Sequence, residues 1–170
     1  VTLRTAGFDA IGQGGLHDSS KAMSSILMLI GGSPGSTAGG MKTTTLAVLT
    51  ATAVSVFRRN ENPELFKRRI APETVANAAS ILMMYLSLCL TGAFLISRIE
   101  DLPMMACMFE TASAVGTVGL SFGITPGLGS ISRIILIILM YLGRVGGLTL
   151  IYAALSGHRI RFGKYPLEKI

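Results

Sequence analysis

Apolar positions in this chain fall into long runs, separated by short glycine-rich or basic stretches. The clearest run, Thr74–Ser97, contains no charged residue. At about 1.5 Å per residue it is long enough to cross roughly 30 Å of hydrocarbon. Pro72 and Glu73 stand just before it, as expected at a helix start. A second run extends from about Ile131 to Leu155, with Arg144 as the one charge deep inside it. A third candidate, Ser19–Phe57, is interrupted at Gly31–Gly40, and its halves Lys21–Ile30 and Thr43–Phe57 are each too short to span. Together they predict a broken transmembrane helix. Irregular backbone at membrane depth is tolerated only where protein or a water-filled cavity surrounds it, so the break points to function. Between the full spans lies Leu102–Val115, apolar, introduced by Asp101 and Pro103, and too short to cross. It predicts a re-entrant helix followed by a glycine-containing turn and the next span.

The chain also repeats itself. Thr5-Ala6-Gly7-Phe8 matches Thr117-Val118-Gly119-Leu120 at a shift of 112 positions, and the same shift sets Ser20 on Ser132, Leu27 on Leu139, Met28 on Met140 and Gly31 on Gly143. The register holds without a gap. An internal repeat in a membrane protein predicts pseudosymmetric units around a shared axis. The chain opens on Val1 inside the first of these motifs, which predicts a piece of a longer protein.

Composition agrees with an all-α membrane protein. Half of the 170 residues are hydrophobic, Trp is absent, twenty are Gly, and mean hydropathy is +0.59. The net charge of +6 could suggest nucleic acid, but its placement excludes that reading. Nine of the fifteen Lys and Arg lie in two clusters, Arg58, Arg59, Lys67, Arg68, Arg69 and Arg159, Arg161, Lys164, Lys169, each directly after an apolar run. That is the positive-inside pattern of a multi-pass protein of the cell membrane, with residues 58–70 and 158–170 cytoplasmic and Glu100 and Asp101 outside. Cys89 and Cys107 are isolated and predict packed thiols. His17 and His158 lack metal-ligand partners at useful spacing.

The turns carry the candidate chemistry. A cation crossing a membrane must exchange hydration water for oxygen ligands, and backbone carbonyls supply them in potassium channels. Consecutive carbonyls face one side only if some residue adopts unusual backbone angles, which Gly does most cheaply. Gly116-Thr117-Val118-Gly119 follows the predicted re-entrant helix, whose partly negative C-terminal end favours a cation there.

Three elements together resemble the Ktr/Trk/HKT superfamily of potassium transporters. They are Thr5-Ala6-Gly7-Phe8, the run from Gly31 to Lys42, and Ala114-Val115-Gly116-Thr117-Val118-Gly119-Leu120-Ser121. The resemblance covers essentially the whole chain and is similar to the C-terminal part of the pore subunit. It implies a channel-like pore built from helix–re-entrant pore helix–filter–helix units, four to a chain. Residues 1–70 would then close the third unit, 71–157 form the fourth, and 158–170 form a cytoplasmic tail. The filter would comprise Thr5, Ala6, Gly7, Gly116, Thr117, Val118 and Gly119, with potassium ions at their carbonyls. The gate would comprise Gly31, Gly32, Ser33, Pro34, Gly35, Ser36, Thr37, Ala38, Gly39, Gly40 and Arg144. The resemblance further implies potassium uptake rather than an enzyme activity, a homodimer of pore subunits in the bilayer, a cytosolic RCK-type nucleotide-binding regulatory ring, and no cofactor beyond the transported ion.

Arg144 is costly at membrane depth and needs a partner. The repeat sets it opposite Gly32, so the carbonyls of the glycine-rich loop are the expected partner, and the loop, rich in small residues, is expected to be weakly packed. Two other functions bear weighing. Gly35–Thr43 approaches a nucleotide-binding loop, but Met41 displaces the Lys and no strand precedes it. A secondary transporter of another cation or small solute could use an unwound helix, but it would not need the Thr-x-Gly turns.

Overall fold

The computed structural model describes residues 3, 7, 17–36, 38–59, 64–65 and 68–145. Among them are five helices: α1 (Asp18–Leu29), α2 (Thr43–Phe57), α3 (Pro72–Glu100), α4 (Met104–Val115) and α5 (Ser130–Val145). A small antiparallel hairpin, β1 (Glu64–Leu65) and β2 (Arg68–Arg69), pairs Glu64 with Arg69 and Leu65 with Arg68. It lies in the basic segment predicted as a plain loop. Two-residue strands carry no readable alternation.

α3 begins where Pro72 and Glu73 suit the positive end of a helix and has Arg98 in its last turn. It stops at Asp101, whose φ of 51° is left-handed, with Pro103 two residues on. At about 1.5 Å per residue it runs about 43 Å. Among the described residues it is the one helix long and apolar enough to cross a membrane. Ala78, Tyr85, Cys89, Gly92, Ala93 and Ile96 are buried on its inner face, while Met83, Leu90 and Phe94 are exposed on the other. A helix apolar on both faces requires apolar surroundings on both.

α4 is the centre. Every residue from Phe109 to Val115 is buried, and α1, α3 and α5 pack around it. One cluster joins Tyr85, Ala93 and Ile96 of α3 to Cys107 and Val115 of α4 and Leu136 and Leu139 of α5. Another joins Met28 of α1 and Cys89 of α3 to Phe109 and Ala112, with Val118 and Leu120 beyond the helix. Both thiols are free and buried, as predicted. At the far end Glu100 Oε1 accepts from Gly129 N (2.8 Å) and Ser132 Oγ (2.6 Å), fixing the end of α3 to the start of α5.

The repeat has a structural counterpart. α1 and α5 begin 112 positions apart, at Asp18 and Ser130. α5 continues to Val145, past the position equivalent to Gly32, whereas α1 stops at Leu29. The helix predicted over Ser19–Phe57 is broken where the glycines begin. The remainder of the Ile131–Leu155 run and the basic tail lie outside the described residues.

Candidate functional site

The site grows from the C-terminal end of α4. Gly116 N–H donates to Ala112 O (2.8 Å), Thr117 N–H to Ala114 O (3.1 Å) and Val118 N–H to Ser113 O (2.9 Å). The last two form a Schellman closure, with Thr117 at the position that normally takes Gly. Thr117 has φ 52°, a left-handed conformation that costs a β-branched residue about 1–3 kcal/mol. Its hydroxyl is engaged, because Thr117 Oγ1 accepts from Gly39 N at 2.9 Å.

Gly7 and Gly119, equivalent in the repeat, share the same unusual backbone, with φ 64° and 88°. They also meet in space. A Cβ added to Gly7 would lie 2.6 Å from Val118 O and 3.5 Å from Gly119 Cα. Gly119 has open space on its own Cβ side, so there a side chain is opposed by backbone angle alone. The structure thus brings Gly7 together with Gly116, Thr117, Val118 and Gly119. Thr5 and Ala6 lie outside the described residues.

The loop between α1 and α2 closes on itself and then on α4. Gly31 N–H donates to Met41 O (2.7 Å), Met41 N–H to Leu29 O (3.0 Å) and Thr43 N–H to Gly32 O (3.1 Å). Ser36 Oγ accepts from Ala38 N (3.1 Å). Ser33, Pro34 and Gly35 form an exposed tip, but Gly31 and Ala38–Met41 are buried. The expectation of a weakly packed loop therefore fails at its base and holds only at its tip. Small residues allow close approach to neighbouring backbone, and that approach is what packs the base. Gly39 lies against the Thr117 side chain and Gly143 O, and Gly40 is within reach of Gly116 Cα. Thr37 lies outside the described residues.

Arg144 stands beside the loop. With Ser36, Ala38, Gly39, Gly40, Lys42 and Tyr85 it lines a cavity of about 310 Å³. Lys42 borders the same cavity and is bonded to the loop. Its Nζ donates to Ser36 O (2.9 Å) and Ala38 O (2.6 Å). Sequence reasoning passed over Lys42, although it left a signal. A cation capping the N-terminus of α2 opposes the helix dipole and so needs acceptors elsewhere. The same contacts explain why the loop is no phosphate cradle, because its Lys is spent on the loop's own carbonyls.

Glu110 was missed as well. It is the one acid within α4 and is buried. Its Oε1 accepts from Ser121 Oγ (2.6 Å) and Phe122 N (2.9 Å), and its Oε2 from Thr125 Oγ1 (3.1 Å). Among the described residues no group of three or more His, Cys, Asp or Glu is arranged to hold a metal ion.

Known proteins are similar to this chain in sequence. The family model described as TrkH, cation transport protein, matches residues 1–159. The potassium/sodium uptake protein NtpJ of Enterococcus hirae is 39% identical over 176 residues, covering 100% of this chain and 39% of that protein. Ktr system potassium uptake protein B of Bacillus subtilis is 34% identical over 153 residues, covering 90% of this chain and 34% of that protein. The protein of the same name from Vibrio alginolyticus is 35% identical over 170 residues, covering 100% and 37%. The chain thus spans well under half the length of these relatives. With the family match running through both glycine turns and the loop, the chain belongs to the TrkH family of cation transport proteins, which are transporters and not enzymes.

Proposed function

We propose that, in the full-length protein, this chain supplies the third and fourth quarters of a potassium uptake pore in the cell membrane. One observation carries the reading. Two left-handed glycines 112 positions apart meet at the C-terminal end of a short buried helix. In this reading α4 is a re-entrant pore helix, and its partly negative end favours a cation at the turns. Thr5, Ala6, Gly7, Gly116, Thr117, Val118 and Gly119 form half of a selectivity filter, whose carbonyls replace the ion's water. Potassium is the expected ion because the relatives are named for its uptake.

The loop Gly31–Gly40 is the gate. Its base lies directly against the inner end of the filter segment, bonded there to Thr117, while Lys42 ties the loop back to the start of α2. Arg144 borders the same cavity and adds a fixed positive charge that opposes a cation on that route. Opening is a movement of this loop away from Thr117. Residues 58–70 and 158–170 face the cytoplasm, where an RCK-type ring would bias the loop, and two pore subunits pair in the bilayer.

The test is potassium-limited growth and uptake by cells that lack their own potassium uptake systems and express the full-length protein. Uptake of potassium with no organic substrate supports the reading. Strict dependence on an organic co-substrate overturns it in favour of a secondary transporter.

A further inference from the structure

The segment beyond the proposed filter is held by one buried carboxylate. Glu110 sits on α4 little more than a turn before its end, and the chain after Gly119 folds back along the helix to reach it. Its three contacts are two hydroxyls, Ser121 and Thr125, and one backbone N–H, that of Phe122. Ser121 Oγ in turn accepts from Gly123 N at 2.9 Å and lies 3.1 Å from Thr125 Oγ1. The Phe122 ring packs on Phe109 of the same helix, centroids 4.1 Å apart. Residues 121–125 are therefore fixed to α4 through Glu110 and Phe109 together. A carboxylate in an apolar core is unfavourable unless its oxygens are hydrogen-bonded, and these are. Packing alone would be served by an apolar residue here. A carboxylate accepts from three donors at once, and all three belong to the segment leaving Gly119.

We propose that Glu110 is a positioning residue for ion selectivity. It sets the geometry of Val118 and Gly119 by anchoring the segment that follows them, and it acts through its hydrogen bonds and not through its charge. The proposal rests on the filter reading above. A carbonyl ring distinguishes potassium from sodium only while its oxygens are held in place. Left-handed Gly119 has open space beside it, so the restraint on that turn comes from its flanks: α4 and the packed Val118 on one side, the packed Leu120 and the Glu110 anchor on the other.

The experiment measures competitive potassium and sodium uptake, with surface expression, in the full-length transporter carrying Glu110→Ala, Glu110→Gln or Gly119→Ser. Glu110→Ala leaves a buried N–H and two hydroxyls without their acceptor and should lower the potassium-to-sodium ratio about tenfold. Glu110→Gln can accept from Ser121 and Phe122 and donate to Thr125, so it should stay within about twofold of wild type. Equal losses in Ala and Gln would overturn positioning in favour of charge. A normal ratio in Ala beside a lowered ratio in Gly119→Ser would overturn the role of Glu110 and leave the filter standing. Normal ratios in both would overturn the filter reading and this proposal with it. If Glu110→Ala fails to reach the membrane, Ser121→Ala combined with Thr125→Val removes two of the three contacts with the carboxylate in place. That pair must lower the ratio, and an unchanged ratio overturns the proposal.

Discussion

Gly39 N–H donates to Thr117 Oγ1 at 2.9 Å, across 78 positions of sequence. This contact joins the proposed gate directly to the proposed filter. The hydroxyl that would face an ion at the inner end of the filter is occupied by the loop's amide. Under the proposed function, ion and loop would compete for this oxygen, and a ligand that favours one arrangement would disfavour the other. The left-handed strain at Thr117 falls where the proposed gate meets the proposed filter.

Thr117→Val keeps the shape of the side chain and removes the acceptor. The buried Gly39 N–H is then unsatisfied, at a cost of about 1–3 kcal/mol to the closed arrangement. Potassium flux at saturating concentration should rise, while Thr117→Ser, which keeps the hydroxyl, should remain near wild type. An equal rise in both variants would break the link between this hydrogen bond and the gate.

The two motif glycines should differ in severity. Gly119→Ser meets no neighbour and opposes only the backbone angle, so the protein should assemble with weakened discrimination of potassium over sodium. Gly7→Ala also forces a methyl group to within 2.6 Å of Val118 O, so it should lower surface expression as well. Unchanged selectivity in Gly119→Ser at normal expression would remove the filter assignment.

The basic clusters set the expected topology. Cysteines introduced at Asn60 and Lys164 should resist an impermeant thiol reagent applied outside intact cells and react after permeabilisation. Cys89 and Cys107 are buried and contribute little background. Reaction from outside at either position would invert the arrangement.

The helices were legible because hydropathy, Pro and Gly mark them. Thr43–Phe57 was read to the residue, and Pro72, Asp101 and Pro103 marked their ends. The register of the repeat was legible too, and Gly7 and Gly119 share its backbone signature. What escaped was polar pairing within the loop and across the turn after α4. The position of Lys42 at the start of α2 signals only that its ammonium needs acceptors, not that they are Ser36 and Ala38, and nothing near Glu110 announces Thr125. Arg144 drew attention as a charge inside an apolar run, whereas Lys42, at the edge of one, did not. The repeat pointed to Arg144 as the partner of the loop's carbonyls and gave Lys42 no such role.

That distinction yields a sharper test of the gate. Lys42 makes two charge-assisted hydrogen bonds to the loop, at 2.6 and 2.9 Å, while Arg144 borders the cavity beside it. Bonds of this kind contribute about 1.5–3 kcal/mol each when partly buried. Every 1.4 kcal/mol is about tenfold in a population ratio, so losing even one can shift a mostly closed loop substantially toward open. Lys42→Met keeps the aliphatic stem and deletes the latch. Arg144→Ala deletes the electrostatic barrier but leaves the latch. Deleting Ser33–Ala38 removes the obstruction together with both Lys42 acceptors. All three should raise potassium flux and weaken its dependence on the regulatory partner. Adding Lys42→Met to the deletion should give no further rise, because the acceptors are already gone, whereas adding Arg144→Ala should. If these residues only brace the fold, the single variants would lower surface expression and flux together. Flux and surface expression measured on the same cells separate the cases, and normal expression with unchanged or reduced flux in Lys42→Met and Arg144→Ala would refute the gate.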